Sequence, residues 1–298
     1  MTLNSSLPLL TIAGSDSGGA AGLQADLKTW AALSENGVRV YGMSAITAVT
    51  AQNSERVAAV HYLPPAFVAA QIDAVLSDYG AAGIKTGFLG RADTIKIVAE
   101  RLNHWRERLH PRPAIIIDPV LVNHRGEAMF GPEVAAAYRE WLFPLADLVT
   151  PNAAEAALLG WSLESTFAGG PPADDQRPPT EVPGSDHPAS DREQPSVAQW
   201  LIKSLRRGDA ISDAWWDGQS WTELPQPRID TINTHGSGDT LSAAVCAYRA
   251  MGHTPLDAIR RAQAFTHAAI RRGAPWRLGA GHGPLGHSVV DRRQTTDH

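Results

Sequence analysis

Cysteine is nearly absent from this 298-residue chain: Cys246 stands alone, so no intrachain disulfide can form and no cysteine-rich zinc site can be built. Basic charge is also scarce. Lys and Arg number 26 against 31 Asp and Glu, a net charge of −5, whereas proteins that bind nucleic acid or membrane surfaces need the opposite excess. Apolar residues 7–13 are too short a run for a signal core or a membrane span, and residues 1–8 carry neither a basic start nor a cleavage site. The eleven histidines show no zincin spacing, which argues against a histidine-based metal site. These absences lead to the expectation of a cytoplasmic protein with no nucleic-acid or membrane partner. What is plentiful is core material, because 43% of the residues are hydrophobic.

Short apolar runs alternate with helical patterns through the first half, the signature of an α/β fold with a mainly parallel sheet flanked by helices. Strands are expected at 9–13, 44–50, 83–86, 114–117 and 148–150, and the β-branched run at 114–117 should be buried on both faces. Apolar residues at helical spacing mark helices through Leu23, Leu27, Trp30 and Leu33, through Val68, Ile72, Val75 and Leu76, and through Ile95, Val98, Leu102 and Trp105. A fourth such stripe runs through Val134, Tyr138, Trp141 and Leu142. The pattern breaks at 168–196, which holds seven prolines and one large aliphatic residue, Val182. Such a stretch cannot offset its ordering entropy by burial, so it is expected to be a disordered surface insertion within a single domain spanning 1–298. Ser196 with Gln199 forms a capping box that predicts a short helix through Val197, Trp200, Leu201 and Leu205. Trp215 to Trp221 predicts a late β-hairpin around Asp217-Gly218. Two helices follow, from Ser237 to about Met251 and from Leu256 to Ile270.

Two loops can carry chemistry. Gly14 to Gly22 joins the first strand to its helix, but lacks the glycine of a dinucleotide loop at Ser17 and the lysine of a P-loop at Ala20. It remains a glycine-rich turn that lets a ligand approach a helix N-terminus, or simply a tight connection. In Asn233-Thr234-His235-Gly236-Ser237-Gly238-Asp239-Thr240, two glycines lead straight into a helix, so backbone N–H groups and the positive dipole end converge. That arrangement suits the charge on a transferring phosphoryl group, with Asp239 placed to take a proton from an attacking hydroxyl. Asp239 read alone also fits a helix-start charge. Asp118 ends a strand where α/β folds place ligands. Asn152 and Glu155 follow the next strand, where they fit either a hydrated Mg²⁺ or a helix cap. Cys246 reads as a buried small residue and the tryptophans as packing residues.

Several segments together resemble the hydroxymethylpyrimidine and phosphomethylpyrimidine kinases of thiamine biosynthesis, in the ribokinase-like superfamily. They are residues 10–19, 22–29 and 44–53, Asp118-Pro119-Val120, Thr150-Pro151-Asn152, 233–240 and 281–287. The resemblance implies a ribokinase-like fold, use of ATP and Mg²⁺, and phosphorylation of 4-amino-5-hydroxymethyl-2-methylpyrimidine and then its monophosphate. It implies Gln52, Gly14 and Asp26 at the substrate, and Gly236, Ser237 and Gly238 as the anion hole. Asn152, Glu155 and Thr234 would meet the nucleotide, Asp118 and Glu155 the metal, and Asp239 would be the base. A homodimer is implied as well. The chain departs from the family at Asp239, where relatives usually carry Cys and the wider superfamily Asp. Ala20 replaces a common glycine, and the segment 34–40 is longer than usual. The family strand ending in Lys-Gly-Gly-His is matched only by Leu201-Ile202-Lys203. A pyridoxal- or pyridoxine-type kinase is the alternative enzyme, and a non-catalytic pyrimidine-binding regulator is the alternative outside catalysis.

Overall fold

A computed structural model of the chain describes residues 6–35, 38–123, 125–161, 198–207 and 210–288. The expected insertion at 168–196 lies outside them, as does the start of the helix expected from Ser196. Ten strands form one sheet in the order β10-β9-β8-β7-β6-β5-β1-β3-β2, with β4 paired to β3. Its centre is parallel: β1 (Ser6–Ser15) lies between β3 (Val38–Gln52) and β5 (Gly83–Thr86), and β6 (Ala114–Ile117), β7 (Leu148–Val149) and β8 (Gln199–Arg207) follow. The antiparallel additions are β2 (Ser34–Glu35) and β4 (Val57–Tyr62) on β3, and the hairpin β9 (Ala210–Trp216) with β10 (Trp221–Gln226) on β8.

The sheet buries apolar residues on both faces, as a parallel sheet must. Ile115 and Ile117 join one core while Ile116 joins the other, which is the period-2 alternation of a strand buried on two sides. Helices α2 (Pro65–Asp78), α3 (Ala92–Arg106) and α4 (Pro132–Ala137) cover the first face. Helices α1 (Gly22–Ala32), α6 (Ser237–Ala250) and α7 (Pro255–Gly273) cover the second, and the short α5 (Ala153–Leu158) follows β7. None of the described helices is long and apolar enough to cross a membrane.

Two expectations need correction, and one strand, β4, was not among those expected. The segment expected to be helical through Trp200, Leu201 and Leu205 is strand β8. Trp200 and Ile202 pack into one core and Leu201 into the other, but a bulge between Ile202 and Leu205 resets the phase so that Leu205 returns to the first. One inserted residue therefore gave strand residues a helical spacing. Ser204, inside the bulge, has φ +58°. Next, Trp141 does not line the core: α4 widens into a π turn at Tyr138–Leu142, and Trp141 is 37% exposed. Finally, β4 went unread because nearly all of it faces solvent, leaving no alternation in its burial. The hairpin stands as expected, with Trp216 paired to Trp221 across Asp217-Gly218. Trp161, Trp200, Trp216 and Trp221 contact one another in a chain at that end of the sheet.

Residues 274–288, beyond α7, return to the sheet's second face. His287 is buried there, with Nε2 2.8 Å from Thr240 Oγ1. The Thr240 hydroxyl donates to the Gly236 carbonyl, so the imidazole donates to Thr240 from Nε2. Burial, with Lys28 and Arg272 nearby, pushes the His287 pKa down to about 4. Between pH about 6.5 and 4 the unfolded chain therefore binds a proton that the folded chain refuses, so this contribution falls as pH falls through that window. His287→Gln is expected to remove on the order of 3 kcal/mol of that pH dependence. Urea midpoints of both proteins at pH 7 and 4.5 check it; equal slopes against pH in the two proteins reject it.

Candidate active site

Every parallel strand of the sheet's centre, β3 included through Thr50 and Gln52, reaches one cavity of roughly 1100 Å³. Gly14 and Ser15 line it at the end of β1 with Asp16 just after, Phe88 after β5, Asp118 after β6, Asn152 and Glu155 after β7, and Lys203 from β8. The N-terminus of α6 supplies the facing wall with Gly236, Ser237, Gly238 and Asp239. This is the carboxyl edge of the strands, where α/β sheets bind ligands.

The glycine-rich first loop is folded around one carboxylate. Asp16 accepts the Gly18 amide at Oδ1 and the Ala20 and Ala21 amides at Oδ2, at 2.8–2.9 Å. The loop in turn rests on α6. Gly236 has φ +82°, and a Cβ there would collide with the Ala20 carbonyl, so only glycine lets the two cavity-facing turns touch. Gly236→Ala is expected to destabilise the protein by about 1–3 kcal/mol, since it adds both a clash and a left-handed alanine. A thermal melt indistinguishable from that of the parent protein rejects this reading of the contact. Within the motif the Ser237 amide donates to the Thr234 carbonyl at 3.1 Å.

Two buried ion-pair clusters define the electrostatics. In the first, Lys203 Nζ lies 2.7 Å from Asp118 Oδ1 and 3.4 Å from Ser242 Oγ. A Cβ on Gly238 would sit 3.2 Å from the same ammonium, which places Lys203 against the glycine-rich turn that opens α6. In the second, Lys85 Nζ lies 2.8 Å from Asp26 and 3.1 Å from Asp239 Oδ1. Burial pushes the Asp239 pKa up, but Lys85, followed by Lys203, outweighs it and holds the carboxyl below its ordinary range. Asp239 is thus an anion at neutral pH with 15% of its side chain open to the cavity.

Glu155 is fixed differently. Its two oxygens accept the Asn152 and Leu121 amides at 2.9 and 3.2 Å, while Asn152 Oδ1 accepts the Glu155 amide, so the expected capping box is present in full. Burial and then the Asp118 charge push the Glu155 pKa up to about 7. The cap and the cavity wall are the same residues.

Of the residues expected at a site, Gly14, Gln52, Asp118, Asn152, Glu155, Thr234, Gly236, Ser237, Gly238 and Asp239 all line the cavity. Asp26 does not. It is fully buried behind Lys85, with Thr11 Oγ1 donating to it at 2.6 Å, so a direct substrate contact is corrected to a place behind the wall. Gln52 Nε2 lies 3.0 Å from His235 Nε2, and Tyr62, Phe88 and Phe130 form an aromatic side of the same space. Residues that sequence reasoning did not assign include His235, inside the 233–240 motif, and Lys85, the one charged residue of β5. That second signal was visible: a lysine in the middle of a four-residue buried strand requires a carboxylate partner. Lys203 was noted only as a family match.

The descriptive model of phosphomethylpyrimidine kinases matches residues 16–168 and 188–286, leaving 169–187 between the two matched stretches. A hydroxymethylpyrimidine/phosphomethylpyrimidine kinase of Rhizobium meliloti is 40% identical over 279 residues, 93% of this chain and 96% of that protein. The thiamine biosynthesis bifunctional protein ThiED of Geobacter sulfurreducens is 40% identical over 284 residues, covering 95% of this chain. The chain spans 52% of that bifunctional protein's length. Among solved structures, a Bacillus subtilis pyridoxal kinase in complex with ADP superposes with a TM-score of 0.75 at 31% identity, covering 95% of this chain and 98% of that one.

Proposed function

The chain belongs to the phosphomethylpyrimidine kinase family, and we propose that it transfers the γ-phosphoryl group of ATP to the hydroxymethyl oxygen of 4-amino-5-hydroxymethyl-2-methylpyrimidine and then to the resulting monophosphate. The observation that carries this reading is Asp239, an ionised carboxylate in the first turn of α6, sharing one cavity with Lys203 and Gln52. In the first reaction the substrate oxygen attacks the γ-phosphorus as the bond to the β-phosphate oxygen breaks. Its proton passes to Asp239, and ADP leaves. Gly236, Ser237 and Gly238, with the dipole of α6, offset the charge on the transferring group. Lys203 adds a cation beside that turn. Asn152 and Thr234 border the nucleotide phosphates, with Thr234 Oγ1 2.6 Å from His282 Nε2.

Asp118 and Glu155 suit a hydrated Mg²⁺. Both are hard oxygen donors, and both line the same cavity wall. Among the described residues no three His, Cys, Asp or Glu side chains are grouped to hold a metal. When bound, the ion neutralises charge on the phosphates.

Gln52 is the pyrimidine-reading residue in this proposal, because an amide offers donor and acceptor together and matches an amino group beside a ring nitrogen. Gln52→Leu is expected to weaken pyrimidine binding by roughly 1–3 kcal/mol and leave ATP binding nearly unchanged. Titration calorimetry checks both, and unchanged pyrimidine affinity removes Gln52 from the site.

Likeness to a pyridoxal kinase structure keeps a vitamin B6 alcohol as the second reading. A coupled ADP-release assay with the free pyrimidine, its monophosphate and pyridoxal as separate substrates decides between them. Turnover of pyridoxal without turnover of the pyrimidine transfers the function to the second reading. A cytoplasmic homodimer belongs to the same proposal, and sedimentation equilibrium reads its dimer half.

A further inference from the structure

Lys85 and Asp26 are charged, fully buried and used by none of the steps above. The ammonium of Lys85 sits in β5 between two carboxylates from different helices, Asp26 of α1 and Asp239 of α6. Thr11, the register partner of Lys85 on β1, donates to Asp26 at 2.6 Å and fixes it. Gly87, just past the strand, leaves the space: a Cβ there would lie 3.1 Å from Lys85 Nζ and 3.8 Å from Asp239 Oδ1. A buried pair with good geometry could be structural, but this one has a third member that opens onto the cavity.

Resting on the reading of Asp239 as the base, we propose that Lys85 and Asp26 are positioning residues that fix the Asp239 carboxylate against the cavity and set how tightly it holds a proton. The two act in opposite directions. Lys85 alone would favour the anion so strongly that Asp239 would be a poor proton acceptor. Asp26 shares the ammonium and repels the second carboxylate, which restores basicity. Burial raises the Asp26 pKa to about 7, while that of Asp239 is held down, so the cluster titrates as a unit. The other groups facing it are Asp118 after β6, Lys203 on β8 and the buried thiol of Cys246 on α6.

The opposed signs supply the test. The pH profile of kcat with the free pyrimidine is measured for the parent protein, Lys85→Met, Asp26→Asn and the double variant. In Lys85→Met the acid limb is expected to rise by about one unit or more, and in Asp26→Asn to fall. The double variant is expected to lie between the two. A carboxyl-carbon NMR titration of the ligand-free protein, with the Asp239 signal assigned from its absence in Asp239→Asn, should show the same order without turnover. Loss of rate with unmoved acid limbs, or shifts in the same direction, overturns the proposal and leaves the pair structural. If Lys85→Met does not fold, the comparison of the double variant with Asp26→Asn still decides, because removing the ammonium must raise the limb. Asp239→Asn separates the two levels. A parent-like rate there overturns both the base and its positioning, whereas a lost rate with immobile limbs in the other variants overturns the positioning alone.

Discussion

Asp239→Asn is expected to lower kcat for the free alcohol by about 10²–10⁴-fold, the usual worth of a positioned base. An alcohol is a weak nucleophile until its proton has somewhere to go, and Asp239 is the carboxylate in the first turn of the anion-binding helix. Lys85 keeps it ionised, so the group is ready at neutral pH and its acid limb lies below the ordinary carboxylate range. Asparagine keeps the shape, and its amide oxygen can still meet Lys85. Lys85 also keeps Asp26, so the ammonium is not left unpaired and the fold should hold, as a urea titration would verify. The monophosphate reaction should lose less, because its nucleophile is already an anion. Equal losses for both substrates would make Asp239 a group that orients phosphate or metal. No loss in either would end its role.

How the chain announced this site differs from residue to residue. The parallel sheet was legible because β1 and β6 are apolar on both faces, and such runs differ plainly from the helical stripes between them. The N-terminal turn of α6 was legible because two glycines before a carboxylate are a local signal. Strand β8 was misread for an equally local reason: its bulge shifted Leu205 by one position and imitated a helix. The ion pairs are of another kind. Lys85 and Asp26 are 59 residues apart and Lys203 and Asp118 85 apart, and no local pattern states that those charges meet. The placement of Asp26 behind the wall follows from that pairing, so assigning it to the substrate by position in a motif missed its actual neighbour.

The second large effect concerns Lys203. Lys203→Met keeps the aliphatic stem in its buried place and removes the charge from between Asp118 and the turn at Gly238. Two losses are expected. Asp118 becomes an uncompensated buried carboxylate, at a cost of about 3–5 kcal/mol, or takes up a proton instead. The anion-binding turn loses a preorganised cation, and kcat at saturating ATP should fall by about 10²–10³-fold. A single variant cannot separate damage to the fold from damage to the chemistry, but the pair of charges can. Adding Asp118→Asn to Lys203→Met removes the orphaned carboxylate, so urea stability should return most of the way. The rate should not return, because neither change restores positive charge beside Gly238 and the second also removes an oxygen ligand proposed for the metal. Recovery of both stability and rate would show that Lys203 only balances Asp118 and has no part in holding phosphate. Recovery of neither would place its contribution in packing, against the geometry of an ammonium 2.7 Å from its carboxylate.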